Sequence, residues 1–148
     1  MAPESSREIG LVSCVKSKRE EPATPKDLYT SPYFEKMRRY AERNHDDWWI
    51  LSAEHGLVDP DGEPMAPYEK TLKNASKAER EEWAERVHTE MEHSGILDGT
   101  NTIVIHAGKD YYGELIPLLD EHKEIDVELP TQGLAFGKTL AWYNEQFE

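Results

Sequence analysis

The stretch Thr102-Ile103-Val104-Ile105-His106-Ala107-Gly108-Lys109-Asp110 decides the fold: an apolar run, bounded by Gly99 and Gly108, that ends abruptly in small, polar and ionisable residues. A run of this length between glycines reads as a strand with a central place in a sheet. Working outward, three more β-prone runs break in the same manner at their carboxyl ends: Ile9 to Cys14, Trp48 to Ala53 and Ile125 to Leu129. The segments between them are long enough for helices. This alternation predicts an α/β fold, a three-layer α/β/α sandwich on a four-stranded, mainly parallel sheet. In such sheets ligands bind outside the strand carboxyl ends, where loops vary freely and helix amino termini point inward. The four breakpoints are therefore where a site is expected.

The connecting segments carry their own signals. Ser31 and Pro32 read as an N-cap followed by proline at the first helical position, with Phe34, Met37, Tyr40 and Ala41 at helical spacing and Asn44 as a stop. The passage Glu54 to Leu72, with Pro60, Gly62, Pro64 and Pro67, is the longest loop, and loops of that length tend to be lids or binding loops. Ser76 with Glu79 forms a capping box, after which Trp83, Ala84, Val87 and Met91 mark the buried face of a helix ending near Gly95. Asp110 is placed as the cap of a helix burying Tyr111, Leu115, Leu118 and Leu119, which Pro117 must kink or shorten. A last helix carries Leu140, Ala141 and Trp142 and ends near Phe147. Residues Met1 to Arg7 lack periodicity and are expected to fray, leaving residues 8–148 as a single domain.

Acidic residues outnumber basic ones 30 to 17, and the net charge is −13 over 148 residues. Such a charge disfavours non-specific nucleic-acid binding at ordinary ionic strength. The acids are dispersed along the chain, which fits a solvation coat for the salt-rich cytoplasm of a halophilic archaeon as well as it fits an ordinary acidic protein. In molar salt the repulsion would count for little. The lone cysteine, Cys14, excludes an intrachain disulfide, and without a charged-then-apolar leader a reducing cytoplasm is expected. No apolar run approaches the roughly 20 residues of a membrane span.

At the first breakpoint Ser13 and Cys14 precede Lys16, Lys18 and Arg19. Neighbouring ammonium groups favour a reactive thiolate, whereas a small core cysteine beside a solvated turn is the alternative. Either way the lysines are candidates for holding a phosphate or carboxylate. The second breakpoint, Ser52-Ala53-Glu54-His55-Gly56, offers an acid or base together with a glycine that lets amides approach a ligand. Adjacent side chains of an extended segment point apart, so Glu54 or His55 serves, not both. The third offers Gly108 and Lys109 as an anion cradle at a helix start, with Tyr111 close by. His106 joins the ligand-binding candidates, although alone it reads as a hydrogen-bonded core histidine. At the fourth, Gly133, Gly137, Lys138 and Thr139 fall one residue short of the P-loop glycine spacing. These glycines are expected to let a helix start close against the sheet while Thr131 and Gln132 face the crevice. Asp59, Asp61, Gly62 and Glu63 form a turn, not a calcium loop. The histidines and Cys14 show no metal-ligand spacing, so neither a bound metal nor a cofactor is expected.

These residues also carry a resemblance. Ser13, Cys14 and Lys16, then Leu28, Tyr29, Ser31 and Phe34, match a serine-cysteine-x-lysine turn and a leucine-tyrosine-x-serine-x-x-phenylalanine run of a domain family of unknown function found in bacteria and archaea. The likeness continues through Trp49, Ile50, Leu51, Ser52, Ala53, His55, Gly56, Leu57, Pro60, Pro67, Tyr68, Thr71 and Leu72, then Ala107, Gly108, Lys109 and Tyr111. Pro130, Gly133, Leu134, Gly137 and Trp142 close it. More distantly, the pattern is similar to the core of archaeosine synthase, to the peroxide-stress protein YaaA and, in fold, to uracil-DNA glycosylases. That resemblance implies a nucleobase, nucleotide or nucleic-acid ligand.

The sequence thus supports an enzyme acting on a nucleobase, nucleotide or modified nucleoside, as a transferase or hydrolase. Lys16, Lys18 and Lys109 would hold anionic groups, Cys14, His55 or Lys109 would do chemistry, and Tyr29, Tyr68 or Tyr111 would stack on a base. Ser13, Ser52, Gly56, His106, Gly108, Gln132 and Gly133 complete the expected ligand-binding set. The alternatives are a non-catalytic nucleotide or nucleic-acid module working with a partner protein, and an interaction domain that docks a protein on the aromatic loop around Tyr68.

Overall fold

The computed structural model describes residues 7–147. Five strands form one mixed sheet: β1 (Glu8–Ser13), β2 (Asp47–Ser52), β3 (Gly56–Val58), β4 (Thr102–His106) and β5 (Asp126–Glu128). Their order is β3-β2-β1-β4-β5. β1 lies parallel to both β2 and β4, and β5 runs parallel to β4, while β3 turns back antiparallel on β2. The four expected runs are all strands, and the expected four-stranded sheet gains a fifth strand at one edge. β3 arises because the chain reverses tightly after Ser52, pairing Ser52 with Gly56. Gly56 takes φ +76°, a left-handed conformation that glycine alone adopts at no steric cost. The second breakpoint is therefore a hairpin, not a strand-to-helix loop.

The described residues also form six helices: α1 (Pro25–Leu28), α2 (Pro32–Asn44), α3 (Lys77–His93), α4 (Lys109–Tyr112), α5 (Ile116–Leu119) and, after the last strand, α6 (Phe136–Glu145). Ser31 caps α2, accepting from the Phe34 amide at 3.1 Å, and Ser76 caps α3, accepting from Glu79 at 3.2 Å, as the sequence predicts. The predicted faces are buried: Phe34, Met37 and Ala41 in α2, and Trp83, Ala84, Val87 and Met91 in α3. α2 packs on β1, β2 and α6, whereas α3 packs on β3, α4 and α5. Ile9, Leu11 and Val12 of β1 are all buried, as are Ile103, Val104 and Ile105 of β4, so these interior strands are covered on both faces.

Other expectations are corrected. The helix expected after Asp110 is two short helices, with Pro117 in the first turn of α5, and its N-cap is Gly108, not Asp110. The expected last helix is α6 and carries Leu140, Ala141 and Trp142 as predicted, with Thr139 and Tyr143 as its buried residues. Arg7, expected to fray, is held by its amide on Asn101 Oδ1 at 2.9 Å and by an ion pair with Asp47. The rest of the expected fraying segment lies outside the described residues. No described helix is long and apolar enough to cross a membrane.

Candidate functional site

From β1 the chain proceeds to β2 on one side, and β4 is added on the other. The carboxyl ends of β1 and β4 thus flank the point where the strand order reverses, the usual position of a ligand crevice in open α/β sheets. A cavity of about 780 Å³ opens there. Its floor is Ser13 and Cys14 after β1 with Ala107 and Gly108 after β4, and Lys16, Lys109 and Tyr111 stand at its side. Gly133 to Phe136, leading into α6, form a further wall. Eight expected residues therefore meet in one crevice: Ser13, Cys14, Lys16, Gly108, Lys109, Tyr111, Thr131 and Gly133.

Lys70, Lys73, Tyr33 and Phe136 line the same crevice without a signal in the sequence. Lys70, Thr71 and Lys73 lie at the carboxyl end of the long loop, around the buried Leu72. The prolines and glycines marked this loop as functional but did not say which of its residues would reach the site. Four lysines, Lys16, Lys70, Lys73 and Lys109, line the crevice against one carboxylate, Asp110. Tyr33 and Phe136 add an aromatic corner, their rings edge to face with centroids 5.3 Å apart, and Phe136 is 62% exposed. A Cβ built on Gly108, Gly133 or Gly137 meets nothing within 4 Å, so these glycines face open space and do not serve close packing on the sheet.

Cys14 is buried at the crevice floor. Its Sγ accepts from the Ala53 amide at 3.4 Å and lies 3.4 Å from Tyr111 Oη. Tyr111 in turn meets the loop, with the Leu72 amide donating to its hydroxyl at 3.4 Å and Thr71 Oγ1 at the same distance. Behind Cys14 a second group is assembled from Tyr29, Tyr68, Ser52 and Lys18, none of which lines the crevice. Ser52 Oγ donates to Tyr68 Oη at 2.8 Å, and Tyr68 Oη lies 2.7 Å from Tyr29 Oη. Burial pushes the hydroxyls of Tyr29, Tyr68 and Tyr111 well above the ordinary phenol range, and charge on Cys14 would push each further. All three remain protonated at neutral pH. Lys18 Nζ sits 4.3 Å from the Tyr68 ring centre, and burial lowers its pKa.

Four expected residues stand elsewhere: His55, Gly56, Gln132 and His106. His55 is exposed on the β2–β3 hairpin; its amide donates to Ser52 Oγ at 3.0 Å and its ring meets Tyr68 edge to face, so it reaches Cys14 only through that cluster. Gly56 serves the hairpin and the close approach of Glu90, whose Oε1 accepts from the Leu57 amide, and it does not line the crevice. Gln132 is exposed and outside the lining. His106 is fully buried in a chain of contacts: Tyr143 Oη to His106 Nδ1 at 2.7 Å, His106 Nε2 to His45 Nε2 at 2.8 Å, and His45 Nδ1 to Glu8 Oε2 at 2.7 Å. With both rings neutral and the Glu8 carboxylate accepting, each link has one donor when Tyr143 donates to His106 and His106 donates to His45. Burial, then the neighbouring His45, push His106 down to about 3, so it is neutral. Its role is in the core, where Tyr143 backs Thr131 and Tyr33 of the crevice wall.

Comparison with known proteins gives relatives without a reaction. The pattern of a family of unknown function, DUF6884, matches residues 9–145. The uncharacterised protein YfjM of Bacillus subtilis is 30% identical over 104 residues, covering 70% of this chain and 67% of that protein. No solved structure matches the chain significantly.

Proposed function

The chain belongs to the DUF6884 family of unknown function, and we propose, from the residues its crevice assembles, that it binds a nucleotide or phosphorylated nucleoside between β1 and β4. The carrying observation is the local inversion of charge: four lysines and a single carboxylate line the crevice of a chain whose acids outnumber its bases 30 to 17. Such a patch against an acidic surface attracts and retains an anion. α6 begins at this crevice with an N-cap residue, Ala135, that gives no side-chain bond to the first-turn amides. Those amides of α6 are available to phosphate oxygens. Tyr33 and Phe136 offer ring edges and an exposed face for a base, and about 780 Å³ lies within the usual range of small-molecule sites.

The helical groups on the two sides of the sheet read as the outer layers of an α/β/α sandwich, and the likeness to nucleobase-handling families supports the same class of ligand. If the protein is an enzyme, Cys14 is the nucleophile available at the crevice floor, with Tyr111 as the adjacent proton donor. The non-catalytic reading also has its own support: the thiol is buried and already engaged by the Ala53 amide, which suits a positioning role.

Thermal shift with inorganic phosphate, nucleosides, nucleotides and short oligonucleotides tests the proposal. A nucleotide at 100 times its Kd adds about 2.7 kcal/mol, which for a domain of this size raises Tm by roughly 5–10 °C. Nucleotides shifting Tm more than either phosphate or the matching nucleoside is the expected result. No shift with any nucleotide, or a shift unchanged in Lys70→Ala and Lys109→Ala proteins, overturns it.

A further inference from the structure

Away from the crevice, α3 and the turn after α5 bring together three side chains that the sequence holds apart. His88 and Glu92 are one turn apart on α3, and His122 arrives across the gap with its Nε2 at 2.7 Å from Nε2 of His88. Glu92 Oε1 lies 3.8 Å from His88 Nδ1, and one donor atom from each of the three residues falls within 4.8 Å of the others. None of the three lines the crevice. We propose that His88, Glu92 and His122 form a binding site for a late first-row divalent cation, with zinc as the natural occupant.

Two imidazoles and a carboxylate are a donor set that zinc accepts, leaving a position for water. Nitrogen ligands select zinc, copper or nickel over magnesium and calcium, which prefer oxygen. The two Nε2 atoms face each other at a distance that, without a cation, requires one ring to donate its proton to the other. With Zn–N bonds of about 2.0–2.1 Å and tetrahedral angles, they would stand about 3.3 Å apart. The rings therefore need to separate by about 0.6 Å from their present 2.7 Å, a side-chain adjustment. The His88 side chain is 15% exposed and Glu92 47%, so the site opens to solvent on the carboxylate side. An acidic surface also raises the local concentration of cations. The expectation that the histidines hold no metal rested on sequence spacing, and His88 and His122 are 34 positions apart. The cation would fasten α3 to the end of the segment that starts at Lys109 and carries Tyr111, so its role is a clip and not catalysis.

The full-length chain, stripped with a chelator, is titrated with Zn²⁺ by calorimetry and with Co²⁺ by visible absorption. Expected are a single site of micromolar affinity or tighter, no competition from millimolar Mg²⁺, and Co²⁺ bands without the intense charge-transfer absorption of a thiolate. His122→Ala weakens Zn²⁺ binding by at least about tenfold, while Cys14→Ser and His55→Ala leave it unchanged. The Co²⁺ spectrum of the parent protein is independent of whether any variant folds. Absent binding, competition by Mg²⁺, a thiolate band, or parent-like affinity in folded His122→Ala would each overturn the proposal.

Discussion

Acid sensitivity centred on His106 follows directly from its burial. In the folded chain its imidazole is held near a pKa of about 3 by desolvation and by His45, whereas an unfolded histidine titrates near 6.5. The depressed folded value means that the unfolded state takes up the proton first. The corresponding stability is complete above pH 6.5, declines as pH falls below it, and is exhausted near pH 3. The slope is about 1.4 kcal/mol per pH unit, so lowering pH from 6.5 to 5 costs about 2 kcal/mol. That is a sizeable share of the 5–15 kcal/mol that typically holds a domain. Other groups titrate too: protonating carboxylates relieves repulsion in so acidic a chain and acts in the opposite sense. The assay is therefore a difference, urea unfolding at pH 7, 6 and 5 for the parent and for His106→Gln, whose amide can bridge Tyr143 and His45 without a charge. The variant is expected to be less stable at pH 7 but to lose roughly 2 kcal/mol less than the parent between pH 7 and 5. Equal losses in both proteins would refute the assignment of His106 as a neutral buried link.

Three further outcomes test neighbouring parts of the account. Gly10→Ala places a Cβ against the His45 ring, which Glu8 and His106 hold on both edges; an overpacking cost of at least about 1–3 kcal/mol is expected in urea unfolding. Tyr68→Phe removes the hydroxyl between Ser52 and Tyr29 and should cost about 1–3 kcal/mol, with a loss below the error of the melt counting against that cluster. Gly108 has φ −83° and ψ 170°, a conformation open to any residue, and faces empty space. Gly108→Leu should therefore keep parental stability to within about 0.5 kcal/mol while abolishing nucleotide binding, and unimpaired binding would remove the crevice from the account.

How much was legible in the sequence follows from which interactions are local. The four parallel strands were visible because their apolar runs end sharply, and the Ser31 and Ser76 caps because capping is decided within four residues. β3 was missed because Gly56-Leu57-Val58 is too short to show a period and opens a proline-rich loop. That omission misplaced His55 and Gly56, since a hairpin directs them away from the crevice that a strand-to-helix loop would have faced. Cys14, Lys16, Gly108 and Lys109 were identified because they directly follow strand ends. Lys70, Lys73, Tyr33 and Phe136 reach the same cavity through tertiary paths, with no local signal for the meeting. Tyr143 was passed over although it has the largest fully buried side chain, because its partner His106 lies 37 positions away.

The central claim is tested most directly by an amide NMR titration of the chain with a nucleoside monophosphate. The account predicts saturable shifts concentrated in residues 13–16, 70–73, 108–112 and 131–136, the segments that meet at the carboxyl ends of β1 and β4. Shifts confined to the hairpin at residues 53–56 or scattered over the acidic surface, or none at millimolar nucleotide, would contradict it.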